Sequence, residues 1–263
     1  MSTNAASAHA GTVWNPSPLA SDELGSTAAD RLTSRIGAVL LLLGLVVLVI
    51  STQLHPAHEN PMDNPAAFRE YAQSDLWIAV HLGQFAGFLL VIGGLVALYF
   101  SIAIRSDAAT AVARFGLAAA ITTGASFTIL QAVDGIALKR AVDAWVSAPP
   151  EQQVAAFTAA EAIRWIEICV NSLSFSLVGL TLVLYGVAMA LGDGYPRWTG
   201  WLAAAAGIAH LIRGVGVSYQ GFVPSVTALI GLALLALWTV VMALLMWRQS
   251  NPRPVAGRRP VLA

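Results

Sequence analysis

The chain contains a single cysteine, Cys169, set in an apolar run. One cysteine excludes a disulfide framework and any CxxC metal or redox pair. Charge is nearly as scarce. Asp, Glu, Lys and Arg make up 11% of the 263 residues, against 57% hydrophobic ones, whereas a soluble domain carries roughly 25% charged residues. A chain of this composition cannot cover a soluble surface. Its net charge is zero, so there is no global electrostatic attraction for nucleic acid, and no nucleic-acid partner is expected. Standard secretory-signal features are missing too. Polar and turn-forming residues, including Pro16, Pro18, Asp22 and Glu23, precede the first apolar run, and no small-x-small cleavage site follows that run. The run Ile36–Ile50 is therefore expected to be retained as a span.

What the chain does have is long apolar segments. A bilayer core about 30 Å thick needs about 20 residues of helix rising about 1.5 Å each. Six segments qualify: Arg35–Leu54, Leu76–Ile104, Val112–Ile136, Ala162–Leu191, Trp198–Tyr219 and Ser225–Trp247. Lipid leaves backbone groups no outside partner, and no alternating barrel pattern is present, so the segments are helices. The expected fold is all-α, a polytopic bundle of six transmembrane helices over residues 31–248. It is flanked by a disordered tail (1–30) and a basic tail (249–263). Asn64-Pro65 predicts a short helix through Tyr71 outside the membrane. Pro149-Pro150 and Gly192-Asp193-Gly194-Tyr195-Pro196 mark turns, and Pro224 opens the sixth span.

Basic residues set the expected orientation. Arg31, Arg35, Arg105, Arg114, Arg197, Arg248, Arg253, Arg258 and Arg259 fall on one side, and Arg69, Lys139 and Arg140 on the other. This asymmetry predicts both termini in the cytoplasm and the chain in a bacterial cytoplasmic membrane, its lipid bilayer the first partner. Trp77, Trp165, Trp198, Trp201 and Trp247 stand near span ends, where interfacial aromatics belong.

With that orientation the polar residues gather toward the outer end. His55, His58 and Glu59 follow the first span. His81 and Gln84 enter with the second, and Gln131 and Asp134 leave with the third. Arg164, Glu167 and Asn171 enter with the fourth, and His210 and Arg213 rise with the fifth. At about 100° per residue, Arg164, Glu167, Asn171 and Ser174 share an arc of roughly 80°. Charge in hydrocarbon is costly, so these stripes should face the bundle interior. They predict one polar pocket opening outward.

Three chemistries suit such a pocket. Imidazole and carboxylate donors suit a divalent metal, with His55, His58 and His81 joined by Glu59 or Asp134. The spacing is neither HExxH nor HxxEH, so no metalloprotease motif applies. In that reading Arg164 and Arg213 orient an anionic or lipid-like ligand. His210, Asn171, Gln84 and Gln131 line its site, and Glu167 and Asp134 serve as acid or base. Alternatively the same residues form structural ion pairs or a proton path in a non-enzymatic subunit or carrier. Haem ligated by His81 and His210 is the third reading.

Several stretches resemble a family of uncharacterised bacterial six-helix membrane proteins known as a domain of unknown function. They are Arg35-Ile36-Gly37, Phe115–Gln131, Tyr195-Pro196-Arg197-Trp198-Thr199-Gly200-Trp201 and Ala206-Gly207-Ile208. The resemblance implies the six-helix layout and no activity, so no functional residue carries over from it.

Overall fold

A computed structural model describes residues 28–103 and 107–250. The expected tails lie almost wholly outside the described residues, as do His9 and Arg105. The described chain is helical apart from its connections and has no strand, with α1 (Ala28–Gln53), α2 (Asn64–Gln73), α3 (Trp77–Ala103), α4 (Asp107–Gln131), a π-helical segment (Ala132–Leu138), α5 (Lys139–Ser147), α6 (Gln153–Leu191), α7 (Arg197–Gln220) and α8 (Val226–Gln249). Among the described residues six helices are long and apolar enough to cross a membrane, and each overlaps one of the six expected segments. The short helix expected after Asn64 is α2, capped one residue earlier than expected: Asp63 accepts from the Ala66 amide at 3.3 Å. Ser225 caps α8 in the same way, accepting from Ala228 N at 3.1 Å.

The spans pack in chain order, α1 on α3, α3 on α4, α4 on α6, α6 on α7 and α7 on α8, and α8 returns to α1. The result is a closed ring. Arg35 Nε donates to Ser250 Oγ at 3.1 Å, so the start of α1 and the end of α8 meet at one end. Small residues set the closest approaches, as membrane helix packing requires. On the α6–α7 seam a Cβ added to Gly186 would stand 2.6 Å from Gly200 O, and one added to Gly179 would stand 2.6 Å from Gly207 O. Leu41, Leu98, Tyr185, Trp238, Met242 and Met246 fill the half of the ring nearest the termini. Outward residues such as Phe115, Leu173, Val215 and Leu229 are exposed and apolar, as lipid-facing positions should be.

The opposite end carries a helical cap built from α2, α5 and the start of α6. The third span does not stop at Ile136: it passes through the π-helical segment into α5 and ends at Ser147. Lys139 Nζ holds this extension, donating to Asp143 Oδ1 at 2.7 Å and to Ala72 O at 3.0 Å. Its apolar face, Leu138 and Val142, packs with Phe68, Tyr71 and Ala160. The 39 residues of α6 span about 58 Å at about 1.5 Å each, so this helix serves both bundle and cap. Trp77 is a second correction. It is buried in the cap cluster and is not a lipid-facing interfacial residue. Trp165, Trp198, Trp201 and Trp247 are exposed, as expected of that role.

The glycine seam makes a prediction. Gly186→Ala forces backbone against backbone and should cost about 1–3 kcal/mol. Gly216→Ala meets nothing within 4 Å and should be neutral. Thermal unfolding in a mild detergent compares the two, and equal midpoints would contradict the packing described.

Candidate metal centre at the cap–bundle junction

His81 lies on the second turn of α3, where its ring turns inward against the third span. There the π-helical segment presents Asp134. The insertion of a π turn shifts the face that α4 offers, and Gly135 lets the backbones close: a Cβ on Gly135 would stand 2.4 Å from His81 Cβ. His81 Nε2 comes to 3.1 Å from Asp134 Oδ2. The third member is His55, just past the end of α1, its ring centroid 5.1 Å from that of His81. His55, His81 and Asp134 offer donor atoms that all lie within 4.8 Å of one another.

The protons on these rings follow from their other contacts. His81 Nδ1 is 2.7 Å from Trp77 O, and His55 Nδ1 is 2.7 Å from Pro56 O. A carbonyl oxygen only accepts, so both Nδ1 atoms carry protons and both neutral rings leave a lone pair on Nε2. Burial holds His55 below its ordinary 6.5 against the opposing pull of Asp134, so that ring is neutral at neutral pH. His81 Nε2 makes no aligned hydrogen bond despite its nearness to Asp134, and Asp134 Oδ1 has no partner. With His81 neutral, acceptors face one another around a common point. Ligands about 2.0–2.2 Å from one ion stand roughly 3–3.5 Å apart, each pointing at the ion and off-axis from its neighbour. The His81–Asp134 geometry fits that spacing. Backbone carbonyls fixing the far ring nitrogen are also the usual outer support of metal-binding histidines.

Aromatic and charged neighbours enclose the group. The Trp77 ring lies 4.6 Å from His81 and 4.9 Å from His55, and Tyr71 lies 4.2 Å from Trp77. Trp77 Nε1 donates to Asp134 O at 3.2 Å. Burial pushes the Tyr71 phenol up to about 12 against the pull of Arg164, so it stays protonated. Arg164 is committed within the protein: Nη1 donates to Glu167 Oε2 at 2.6 Å, and Nη2 to Pro61 O at 2.8 Å and Tyr71 Oη at 3.3 Å. It ties α6 to the loop after α1 and to α2. Glu167 is buried and close enough to Asp134 for their charges to interact.

The remaining sequence candidates divide. Gln131 Nε2 donates to Gln84 Oε1 at 3.3 Å, one turn before Asp134. His58 and Glu59 do not join the metal group. His58 is exposed, with Nδ1 2.8 Å from Glu70 Oε1, and its amide and that of Glu59 donate to the Glu70 carboxylate at 2.9 and 3.1 Å. Glu70, on α2, thus closes the loop that carries His55. His58, Glu59, Arg69 and Glu70 line a surface hollow of about 430 Å³, apart from the buried donors. His210 is separate again. Its Nδ1 donates to Ala206 O at 2.9 Å and its ring centroid lies 6.1 Å from that of Phe175. Arg213 lies over Phe175, and Asn171 Oδ1 is buried without a partner.

Tyr71, Trp77 and Glu70 are site residues that sequence reasoning missed. Trp77 stands four residues before His81, the spacing at which a helical carbonyl meets a side chain above it. No comparable signal marked Glu70.

No family model, curated protein or solved structure matches the chain. The loop anchor makes its own prediction. Burial alone would raise the Glu70 carboxyl, but the His58 and Glu59 amides and the His58 ring hold it below the ordinary 4.5. A depressed carboxylate contributes stability above its unfolded value and loses it as pH falls through the lowered one. Hydrogen exchange at the His58 and Glu59 amides should therefore accelerate, relative to other loop amides, as pH falls below 4.5. Glu70→Gln should show the faster exchange already at neutral pH. Protection unchanged in Glu70→Gln would contradict the anchor.

Proposed function

We propose that the protein is a multi-pass metal-binding protein of a bacterial cytoplasmic membrane, with both termini in the cytoplasm and the metal centre at the outer end. The nine-against-three distribution of basic residues supports the orientation. The observation that carries the metal reading is the convergence of two Nδ1-anchored histidines and one carboxylate with unpartnered acceptor atoms. Two imidazoles and a carboxylate suit zinc, iron or copper in the divalent state. Three protein ligands leave coordination positions open, which is the arrangement of catalytic rather than structural sites. An ion held there supplies a Lewis acid.

The chain's own residues give that centre the makings of a membrane enzyme. Glu167 stands beside Asp134 as a buried acid or base, held by Arg164. Tyr71 offers a protonated hydroxyl near the same point. Trp77, Tyr71 and the loop around Pro61 shield the site from bulk water. A second reading rests on the 3.1 Å contact alone: an imidazolium at His81 paired with Asp134, serving structure or a proton path.

Elemental analysis separates the two. The purified wild-type chain should hold close to one zinc, iron or copper per molecule. His81→Ala and Asp134→Asn should lose it, while His58→Ala, on the exposed rim, should keep it. A metal-free wild-type protein that also fails to take up any of these ions on titration would leave the ion-pair reading.

A further inference from the structure

Among the described residues, Arg213 is a cation without an anion. It sits on α7 seven residues before Gln220, the last residue of that helix, which is about 10 Å along the axis at about 1.5 Å per residue. Its guanidinium carbon stands 3.9 Å from the centroid of the Phe175 ring. It makes no hydrogen bond or ion pair among the described residues. Neither Asp134 nor Glu167 pairs with it: Asp134 faces His81, and Glu167 is taken by Arg164. A cation at this depth is costly unless something balances it.

A second orphan lies on the same side of the α6–α7 seam. Asn171 is one helical turn before Phe175, the ring that Arg213 covers, and its Oδ1 is buried with no partner. The register is fixed between them, because Ser172 Oγ donates to Gly214 O at 2.9 Å. In antiparallel helices, residues that precede two contacting positions fall on one side of the seam, so Asn171 and Arg213 flank a common space. A forked donor lies over the Phe175 ring, and a lone acceptor is carried one turn before that ring on the same helix.

We infer that Arg213 and Asn171 form a subsite for an anionic group, a phosphate or a carboxylate. The guanidinium takes two oxygens of the anion in its fork. Asn171 Oδ1 accepts from a hydroxyl or protonated oxygen beside it. The subsite uses none of the metal donors and stands or falls independently of the metal reading. An amphiphile headgroup and a dissolved anion share this chemistry, and the test distinguishes them.

The full chain is purified in a neutral maltoside detergent, and its thermal midpoint is followed on titration with phosphatidylglycerol, oleate, inorganic phosphate or acetate. Diacylglycerol, with the same acyl chains and no anion, is the control. One or more of the anions should raise the wild-type midpoint by several degrees, while diacylglycerol does not. A response to phosphatidylglycerol or oleate alone assigns the subsite to an amphiphile, and a response to phosphate or acetate assigns it to a dissolved anion. Arg213→Gln should abolish the response. Without ligand it should unfold no earlier than wild type, because it removes an unbalanced charge. Arg213→Lys keeps the charge without the fork and should need several-fold more anion for the same shift. Shifts of equal size in wild type, Arg213→Gln and Arg213→Lys would overturn the inference. So would no shift with any of the four anions, or an Arg213→Gln chain too unstable to purify.

Discussion

Two hydrogen-bond acceptors facing each other inside a membrane protein repel unless a positive charge lies between them. That constraint governs the junction of His81 and Asp134. The Trp77 carbonyl fixes one His81 proton on Nδ1, so a neutral His81 turns the Nε2 lone pair toward a carboxylate 3.1 Å away. His55 repeats the arrangement through Pro56. The surrounding structure serves this meeting. The π turn brings Asp134 to the correct face, Gly135 removes the side chain that would keep it off His81, and Arg164 draws the Pro61 loop and Tyr71 down beside it. Either a bound cation or an added proton satisfies the charge, and the off-axis geometry suits the cation.

The two halves of the ring obey different physics. Near the termini, helices meet through glycine and alanine, with Tyr185, Trp238 and the methionines between them. Lipid tails are as apolar as leucine, so close packing rather than water exclusion holds that half together. Toward the cap, polar side chains enter from α3, α4, α6 and α7 and from the connecting loop. There the stability of the bundle depends on each polar group finding a partner. Arg164 and Glu167 form a strut, with only Arg164 Nε left unpartnered in that pair. Asp134, Asn171 and Gln131 keep unpartnered atoms. A rigid packed base beneath an incompletely satisfied polar end is the pattern of a protein that holds something at that end.

The spans were legible because hydropathy is a one-dimensional signal: every expected segment overlaps its own helix. The short α2 was legible through Asn64-Pro65, one residue off its true cap at Asp63. The gathering of His55, His81 and Asp134 was legible from depth, and the facing of Arg164 toward Glu167 from helical angle. The π turn was not, since nothing in Ala132–Leu138 distinguishes it from an α-helix until packing against His81 is known. His58 and Glu59 looked like ligands because they neighbour His55 in sequence. In space they turn to Glu70, and the loop that links them is closed by that carboxylate. Trp77 looked like an interfacial anchor because sequence shows depth and not which way a ring points.

X-ray absorption spectroscopy at the metal edge, on the protein loaded with one equivalent of zinc, tests the central claim most directly. The account predicts a shell of nitrogen and oxygen at about 2.0–2.1 Å, with outer scattering from two imidazole rings, reduced to one ring in His55→Ala. A sulfur shell, or a spectrum from which imidazole scattering is absent, would contradict it.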